Sequence, residues 1–354
     1  YKEPDDEISK VFLEIADKLQ DDFIVIYGDL LFNFDFNRLI NFSKLNGGIG
    51  SIVTHPNNHP FDSDLISFDE NFKIQKIFNK PHKKNFLARN DVNSAIYFLK
   101  KEIINFIPKN SQSDWIKDIF PNLLGRLYAY PSSEFIFDVG TRKRINIARK
   151  YISSKKYTLG SYHNKRRAIF IDRDGVINEE VNGVYNYNQL KIPLFSHKAI
   201  KKINNSEYLA ICVTNQPGIA KGFFSIDDLN MIHAKLDTEL GANGAYLDDL
   251  FFCPHHPESG WDGEKIELKK KCNCRKPMPG MFIEASNKHN LDLKNSYFIS
   301  DTAKDLSVSK KIDINIVLVE TGYGSLQDMN TNTKYLKAKN LYEAVKKILK
   351  NSND

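Results

Sequence analysis

What the chain lacks narrows its class before anything it contains is weighed. No stretch of 18 or more uncharged apolar residues occurs, so no segment is long and apolar enough to be read as a membrane-spanning helix. The opening "YKEPDDEISK" is acidic where a secretion signal would be basic and then apolar. The expectation is a cytoplasmic protein with no membrane partner. Cysteine is scarce, and four residues in 354 do not make a disulfide framework. No block of like charge stands out, because the lysines behind the formal net charge of +6 are spread among acidic residues. That is a solvated surface rather than a nucleic-acid footprint, and mild positive charge suits small phosphorylated substrates. No internal repeat is present. The chain opens on Tyr1 with a strand-like run close behind, and the expectation is that a segment upstream is missing.

What is present has the composition of a globular protein, 41% hydrophobic and 27% charged, with length for two ordinary domains. Short β-branched and aromatic runs alternate with helix-period segments, the pattern of α/β folds with parallel sheets. A first series holds "DDFIVIYGD", a helix-like "FNRLINFSKLN" ending at Gly47-Gly48, "GSIVTH" and "NSAIYFL", and closes near "FIFDVGTRKRINIARKYI". It spans residues 1–152. Residues 153–166, polar, basic and without apolar periodicity, read as a linker. The second domain, 167–354, restarts with strand "AIFID", then strand "LAICVTN", a helix capped at Ser225, strand "DDLFFC", helix "GMFIEASNKHN", strands "SYFISD" and "INIVLV", and helix "LYEAVKKILK".

In a parallel sheet the functional loops lie at the carboxyl ends of strands, and the chemistry-bearing residues fall there. "AIFIDRDG" ends a buried run in Asp172, with Asp174 two residues on and Gly175 permitting a sharp turn. "VTNQPG" offers Thr214, Asn215 and Gln216; "RKP" supplies Arg275 and Lys276; "FISD" places Asp301, with Asp305 one helical turn beyond. Asp305 would either orient Asp301 or cap the following helix. Between them, "CPHHP…CNCRKP" sets Cys253 and His255 sixteen residues before a Cys272-x-Cys274 pair. Three thiolates and an imidazole favour tetrahedral Zn²⁺, and four protein ligands leave no position open for water, so that zinc is expected to be structural. His256 is the alternative to His255. Cys212, alone inside "YLAICVTN", reads as a core residue.

The order Asp-x-Asp, Thr, Lys, Asp on successive strand ends resembles the haloacid dehalogenase superfamily of phosphohydrolases, over roughly Arg167 to Asn351. The resemblance implies a doubly wound parallel sheet and a Mg²⁺-dependent reaction. Asp172 would be the nucleophile and Asp174 the general acid and base, while Thr214 and Lys276 would stabilise the phosphoryl group. Mg²⁺ would be held by Asp172, the Asp174 carbonyl and Asp301. With its zinc loop and "TNQPGIAKGFFS", the domain looks like the phosphatases that remove the 7-phosphate of heptose 1,7-bisphosphate, with histidinol-phosphate phosphatase the nearest relative. Asn215, Gln216 and Arg275 would contact substrate, Arg275 through the second phosphate. One departure is "SDT" at Ser300-Asp301-Thr302, where the family usually has "GDK". Only about forty residues separate Asp174 from Thr214 and about sixty separate Asn215 from Lys276. Neither gap holds a large cap domain, so the site should be open, with substrate chosen by the short loops 178–187 and 218–224 and the zinc loop.

The first domain resembles the sugar-1-phosphate nucleotidyltransferases, with a partial Rossmann-like fold. Asp29 in "IVIYGD" and Asp138 in "FIFDVGT" match two aspartates that hold Mg²⁺ there, Lys80 in "FNKPH" matches a sugar-phosphate contact, and "NSAIYFL" resembles a family strand. Asn79 stands where that family has glutamate and Arg142 where it has proline. No G-x-G-T-R-L nucleotide loop precedes Asp29, so the chain as given is expected to transfer no nucleotide unless an upstream segment is restored. The pairing of the two resemblances implies a place in nucleotide-activated heptose synthesis, by a GDP-heptose route.

Overall fold

The computed structural model describes residues 8–108, 113–327 and 334–351. It divides into two units, Tyr1–Ile152 and Ser153–Asp354.

The first unit comprises α1 (Ile8–Glu14), β1 (Asp22–Ile26), β2 (Leu30–Asn33), α2 (Phe36–Asn46), β3 (Gly50–His55), β4 (Leu65–Phe68), β5 (Ile74–Phe78), β6 (Val92–Lys100), β7 (Leu127–Pro131), β8 (Phe135–Asp138) and α3 (Arg142–Ile152). Its main sheet runs β5-β4-β6-β3-β7, with β1 on β6, and β2 pairs separately with β8. Among these pairs only β3 and β7 are parallel. The alternating pattern pointed to parallel pairing, but parallel neighbours need a crossover of a dozen or more residues. The link from β4 to β5 is a five-residue turn, 69–73. The helix expected before Gly47-Gly48 is α2, started by Asp35, whose carboxylate accepts the Asn37 N–H, and ended at Gly47 with φ 74°.

The second unit contains α4 (Lys155–Thr158), β9 (Arg167–Ile171), α5 (Leu194–Asn204), β10 (Tyr208–Asn215), α6 (Ile226–Ala242), β11 (Asp249–Cys253), α7 (Gly280–His289), β12 (Tyr297–Ser300), α8 (Ala303–Leu306), β13 (Asn315–Val319), β14 (Leu336–Ala338) and α9 (Leu341–Asn351). The sheet order is β11-β10-β9-β12-β13-β14 and every pair is parallel. Counted from β9, this is 3-2-1-4-5-6, the doubly wound order whose direction reverses between strands one and four. Ligands are expected beyond the carboxyl ends of those two strands, β9 and β12.

The strands read as unbroken apolar runs because both faces are covered. Ile169, Ile171, Cys212, Val317 and Val319 face α5, α6 and α9, while Ala168, Phe170, Val213, Phe298 and Leu318 face α7 and α8. Cys212 is wholly buried in this core. Helix α5 was not singled out in the sequence, yet a β9–β10 parallel pair demands a crossover helix. Its Ala199, Ile200 and Ile203 all pack into the core. Residues 153–166, expected as a linker, belong to this unit. They include α4, and Asn290 Nδ2 donates to the Tyr162 and Asn164 carbonyls at 2.6 and 3.3 Å. Polar side chains there satisfy backbone groups at the sheet's amino-terminal edge rather than water, which is why no apolar period marks the docking.

Candidate active site and metal cluster

Asp172 follows β9 directly, and its carboxylate is surrounded by donors. Its Oδ2 lies 2.6 Å from Lys276 Nζ and accepts the Ser300 hydroxyl at 3.1 Å, and its Oδ1 accepts the Arg173 N–H at 2.8 Å. Lys276 is 2% exposed and also meets Asp305 Oδ2 at 3.1 Å. Asp305 therefore neither orients Asp301 nor caps α8, as had been expected. Thr302 is the cap, and Asp305 pairs with the lysine. Burial by itself would lower Lys276, but the two carboxylates outweigh it and hold the ammonium charged. Burial pushes Asp172 up to about 7 against the pull of Lys276, with Asp305 and Asp301 adding to the rise.

Asp301, after β12, completes the switch-point constellation. Its Oδ2 accepts the Tyr323 N–H at 2.9 Å. A Cβ built on Gly175 would stand 2.3 Å from that oxygen, and one on Gly322 2.1 Å. Both glycines have positive φ, 76° and 57°, so the two backbones form a cradle only glycine allows. Gly322→Ala is expected to displace Asp301 and lower kcat ~10²-fold, the scale of a small misplacement at a reacting centre. Full activity in that variant would separate Asp301 from the chemistry.

Asp174 is held by residues around it rather than left free. Arg173, wholly buried, donates Nε to Oδ1 at 3.2 Å and Nη2 to Oδ1 and Oδ2 at 3.0 and 2.9 Å, and Asn178 Nδ2 reaches Oδ1 at 3.0 Å. Gln216 Nε2 bridges Asp174 Oδ2 and Thr214 Oγ1 at 3.0 and 2.8 Å. Asn215 brackets the lysine's backbone, accepting Lys276 N–H at 2.9 Å and donating to its carbonyl at 3.1 Å. Both amides were expected at the substrate. In this structure both amide atoms of Asn215 bond the Lys276 backbone, and Gln216 Nε2 bonds the Asp174 and Thr214 side chains. Sequence reasoning also missed Arg173, the unassigned residue of Asp-x-Asp, whose only signal was a charge inside an apolar strand end.

Four carboxylates (Asp172, Asp174, Asp301, Asp305) are thus gathered around two cations, Lys276 and Arg173. Burial also lifts Asp301 to about 6. Oxygen donors with excess negative charge in a buried cradle fit a divalent hard cation such as Mg²⁺.

The cysteine cluster is a separate centre. One ligand atom from each of Cys253, His255, Cys272 and Cys274 lies within 4.8 Å of all the others. Sulfur separations are 3.5 Å (Cys253–Cys272), 3.2 Å (Cys253–Cys274) and 3.3 Å (Cys272–Cys274), and His255 Nδ1 is 3.2 Å from Cys274 Sγ. A disulfide would need ~2.05 Å, whereas tetrahedral zinc with ~2.3 Å bonds sets its sulfurs about 3.8 Å apart. Hydrogen bonds from Cys253 and Cys272 draw Cys274 down to about 5, and the bond to Cys274 drives Cys253 up. Thiols this close cannot all ionise without a cation between them, so the donor set fits zinc. His256 lies outside the cluster, its ring 5.0 Å from and edge-on to Trp261, its Nδ1 accepting the Glu258 N–H. Arg275 donates to the His255 carbonyl at 3.3 Å. The Tyr323 hydroxyl donates to Asn182 Oδ1 at 3.0 Å.

In the first unit, the β2–β8 pair opposes Leu30 to Asp138 and so brings Asp29 beside it. A Cβ on Gly140 would be 3.0 Å from Asp29 Oδ2 and 3.1 Å from Asp138 Oδ1. Arg144 pairs with Asp138. Lys80 is exposed, its backbone N–H held by Asp64 at 2.9 Å.

The sheet order and the aspartates at its switch point define the second unit as a hydrolase of the haloacid dehalogenase type, and the HAD-hydrolase-like family model matches residues 273–344. The nucleotidyl transferase model matches residues 2–154. Among curated proteins, the D-glycero-beta-D-manno-heptose-1,7-bisphosphate 7-phosphatase of Pasteurella multocida (strain Pm70) is 36% identical over 172 residues, 48% of this chain and 91% of that protein. The corresponding alpha-heptose enzyme of Photorhabdus laumondii is 37% identical over 162 residues, 46% of this chain and 86% of its own. A solved structure of the D,D-heptose 1,7-bisphosphate phosphatase of B. bronchiseptica, complexed with magnesium and phosphate, is 27% identical at a TM-score of 0.46, covering 52% of this chain and 99% of its own. The chain belongs to the family of the heptose-1,7-bisphosphate 7-phosphatases, with a nucleotidyltransferase-type domain ahead of the phosphatase.

Proposed function

We propose that the second unit removes the 7-phosphate of D-glycero-D-manno-heptose 1,7-bisphosphate through a phosphate carried transiently on Asp172. Family membership supports the substrate. The observation that carries the chemistry is the convergence of Asp172, Lys276 and Asp301 at the β9/β12 switch point. A bound Mg²⁺ would be held by Asp172, the main-chain carbonyl of Asp174 and Asp301, and would supply charge neutralisation at the transferring phosphoryl group.

An Asp172 carboxylate oxygen attacks phosphorus, and the P–O bond to the sugar's C7 oxygen breaks as the acyl phosphate forms. Asp174 gives its proton to the departing alkoxide, then takes one from the water that attacks the acyl phosphate, a contribution of ~10²–10⁴-fold. Inorganic phosphate leaves and Asp172 is regenerated. Lys276 and Thr214 offset charge on the phosphoryl oxygens. Arg173 and Gln216 keep Asp174 in place. Zn²⁺ in the Cys253, His255, Cys272, Cys274 cluster is structural. The product, heptose 1-phosphate, is the class of substrate a nucleotidyltransferase activates, which suits the domain that precedes it in the chain and a role in GDP-heptose synthesis.

Phosphate release from the α and β anomers of heptose 1,7-bisphosphate, with histidinol phosphate alongside, tests the reading; faster turnover of histidinol phosphate would overturn it. Arg275, at the zinc loop, is assigned to the second phosphate. Arg275→Ala should lower kcat/KM for the bisphosphate ~10- to 150-fold and leave heptose 7-phosphate unchanged, as expected for one charge-assisted contact of roughly 1.5–3 kcal/mol. Unchanged selectivity would remove Arg275 from that role.

A further inference from the structure

The Ser-Asp-Thr run that begins on the last residue of β12 builds a closed ring of contacts behind the nucleophile. Ser300, wholly buried, donates to Asp172 Oδ2 at 3.1 Å, and the same oxygen meets Lys276 Nζ at 2.6 Å. Lys276 continues to Asp305 Oδ2 at 3.1 Å, Asp305 N–H donates to Thr302 Oγ1 at 3.4 Å, and Thr302 N–H donates to Ser300 Oγ at 3.2 Å. The last contact fixes the hydroxyl. With its oxygen accepting from Thr302, the proton of Ser300 is directed at Asp172 rather than free to rotate.

From this ring we infer that Ser300 is a positioning residue for the nucleophile. The Ser300 hydroxyl on Oδ2 and the Arg173 N–H on Oδ1 at 2.8 Å are the hydrogen bonds that set the plane of the carboxylate about its Cβ–Cγ bond. Lys276 alone cannot do so, because an ammonium on a flexible stem attracts from many directions. A hydroxyl held by its own backbone donor is directional. A carboxylate free to rotate spends less time aligned with phosphorus, a loss in the transition state and not in substrate binding. The inference rests on Asp172 being the nucleophile, and not on which sugar carries the phosphate.

Hydrolysis of p-nitrophenyl phosphate in magnesium reports phosphoryl transfer whatever the natural ester, so a wrong sugar assignment does not disturb the test. Ser300→Ala is expected to lower kcat about 10-fold with KM within twofold. Ser300→Thr, which keeps the hydroxyl, is expected to recover most of that loss while melting no higher than Ser300→Ala. Full kcat in Ser300→Ala overturns the inference. A loss that appears in KM, or one shared equally by both variants and tracking their melting temperatures, overturns it as well by making the role one of binding or packing.

Discussion

Asp172→Asn is expected to abolish phosphate release, by ~10⁴-fold or more in kcat, while the protein stays folded. The size follows from the role: removing a covalent nucleophile leaves only binding and electrostatic catalysis, and such losses are among the largest single changes in enzymes. The stability half is less obvious. Breaking a buried ion pair by removing one partner usually costs 3–5 kcal/mol, roughly, since the other charge is left uncompensated. Here Lys276 keeps Asp305 at 3.1 Å, so its charge is not orphaned. Asp172 is pushed up to about 7, chiefly by burial. A carboxyl raised above its usual value lends stability at low pH that is lost as pH rises through about 7. At pH 8, in metal-free protein, the neutral asparagine removes that cost, and the variant should melt no lower than the parent. Retained turnover would remove Asp172 as nucleophile; lost turnover together with a collapsed melting temperature would leave the residue structural.

Much of this site was legible because its chemistry restricts residue types. A carboxylate nucleophile, a lysine for the phosphoryl charge and soft ligands for zinc left their signatures at strand ends, and the structure brings Asp172, Lys276 and Asp301 to one place. What was not legible is how those groups are held. Arg173 on Asp174, Asn215 around the Lys276 backbone, Ser300 behind Asp172 and Asp305 beside Lys276 are contacts between strand ends that become neighbours only through the sheet order. Asp305 read as either a cap or an orienter of Asp301 because local spacing brings only those partners to mind, whereas it pairs with a buried ammonium 29 positions away in the chain. The fold shows the same division. β10 was read correctly because seven of its eight residues are buried, whereas the antiparallel pairing of the first unit depends on turn lengths that periodicity does not record.

Cys274→Ser is expected to lose the metal, lower the melting temperature by about 10 °C and reduce kcat at least ~10²-fold, although Cys274 belongs to the Cys/His cluster and not to the aspartate–lysine site. Structural zinc binding is worth ~10–16 kcal/mol in small domains at neutral pH, as much as the ~5–15 kcal/mol stability of a typical domain. Even a loss of ~4 kcal/mol would shift a domain of this size by about 8–16 °C. The catalytic effect arises by connection. Cys274 is two residues from Lys276, which is held by the metal cluster on one side and by Asn215 on the other. Releasing the cluster loosens the segment from which the lysine reaches Asp172 at 2.6 Å. Cys212→Ala is the control: Cys212 lies in the core away from the cluster, so that variant should lose some stability and keep its zinc and its turnover per folded molecule. Metal analysis, melting and single-turnover phosphate release on both variants separate these outcomes. A zinc-free Cys274→Ser protein with parental melting and parental kcat would show that the cluster clamps nothing.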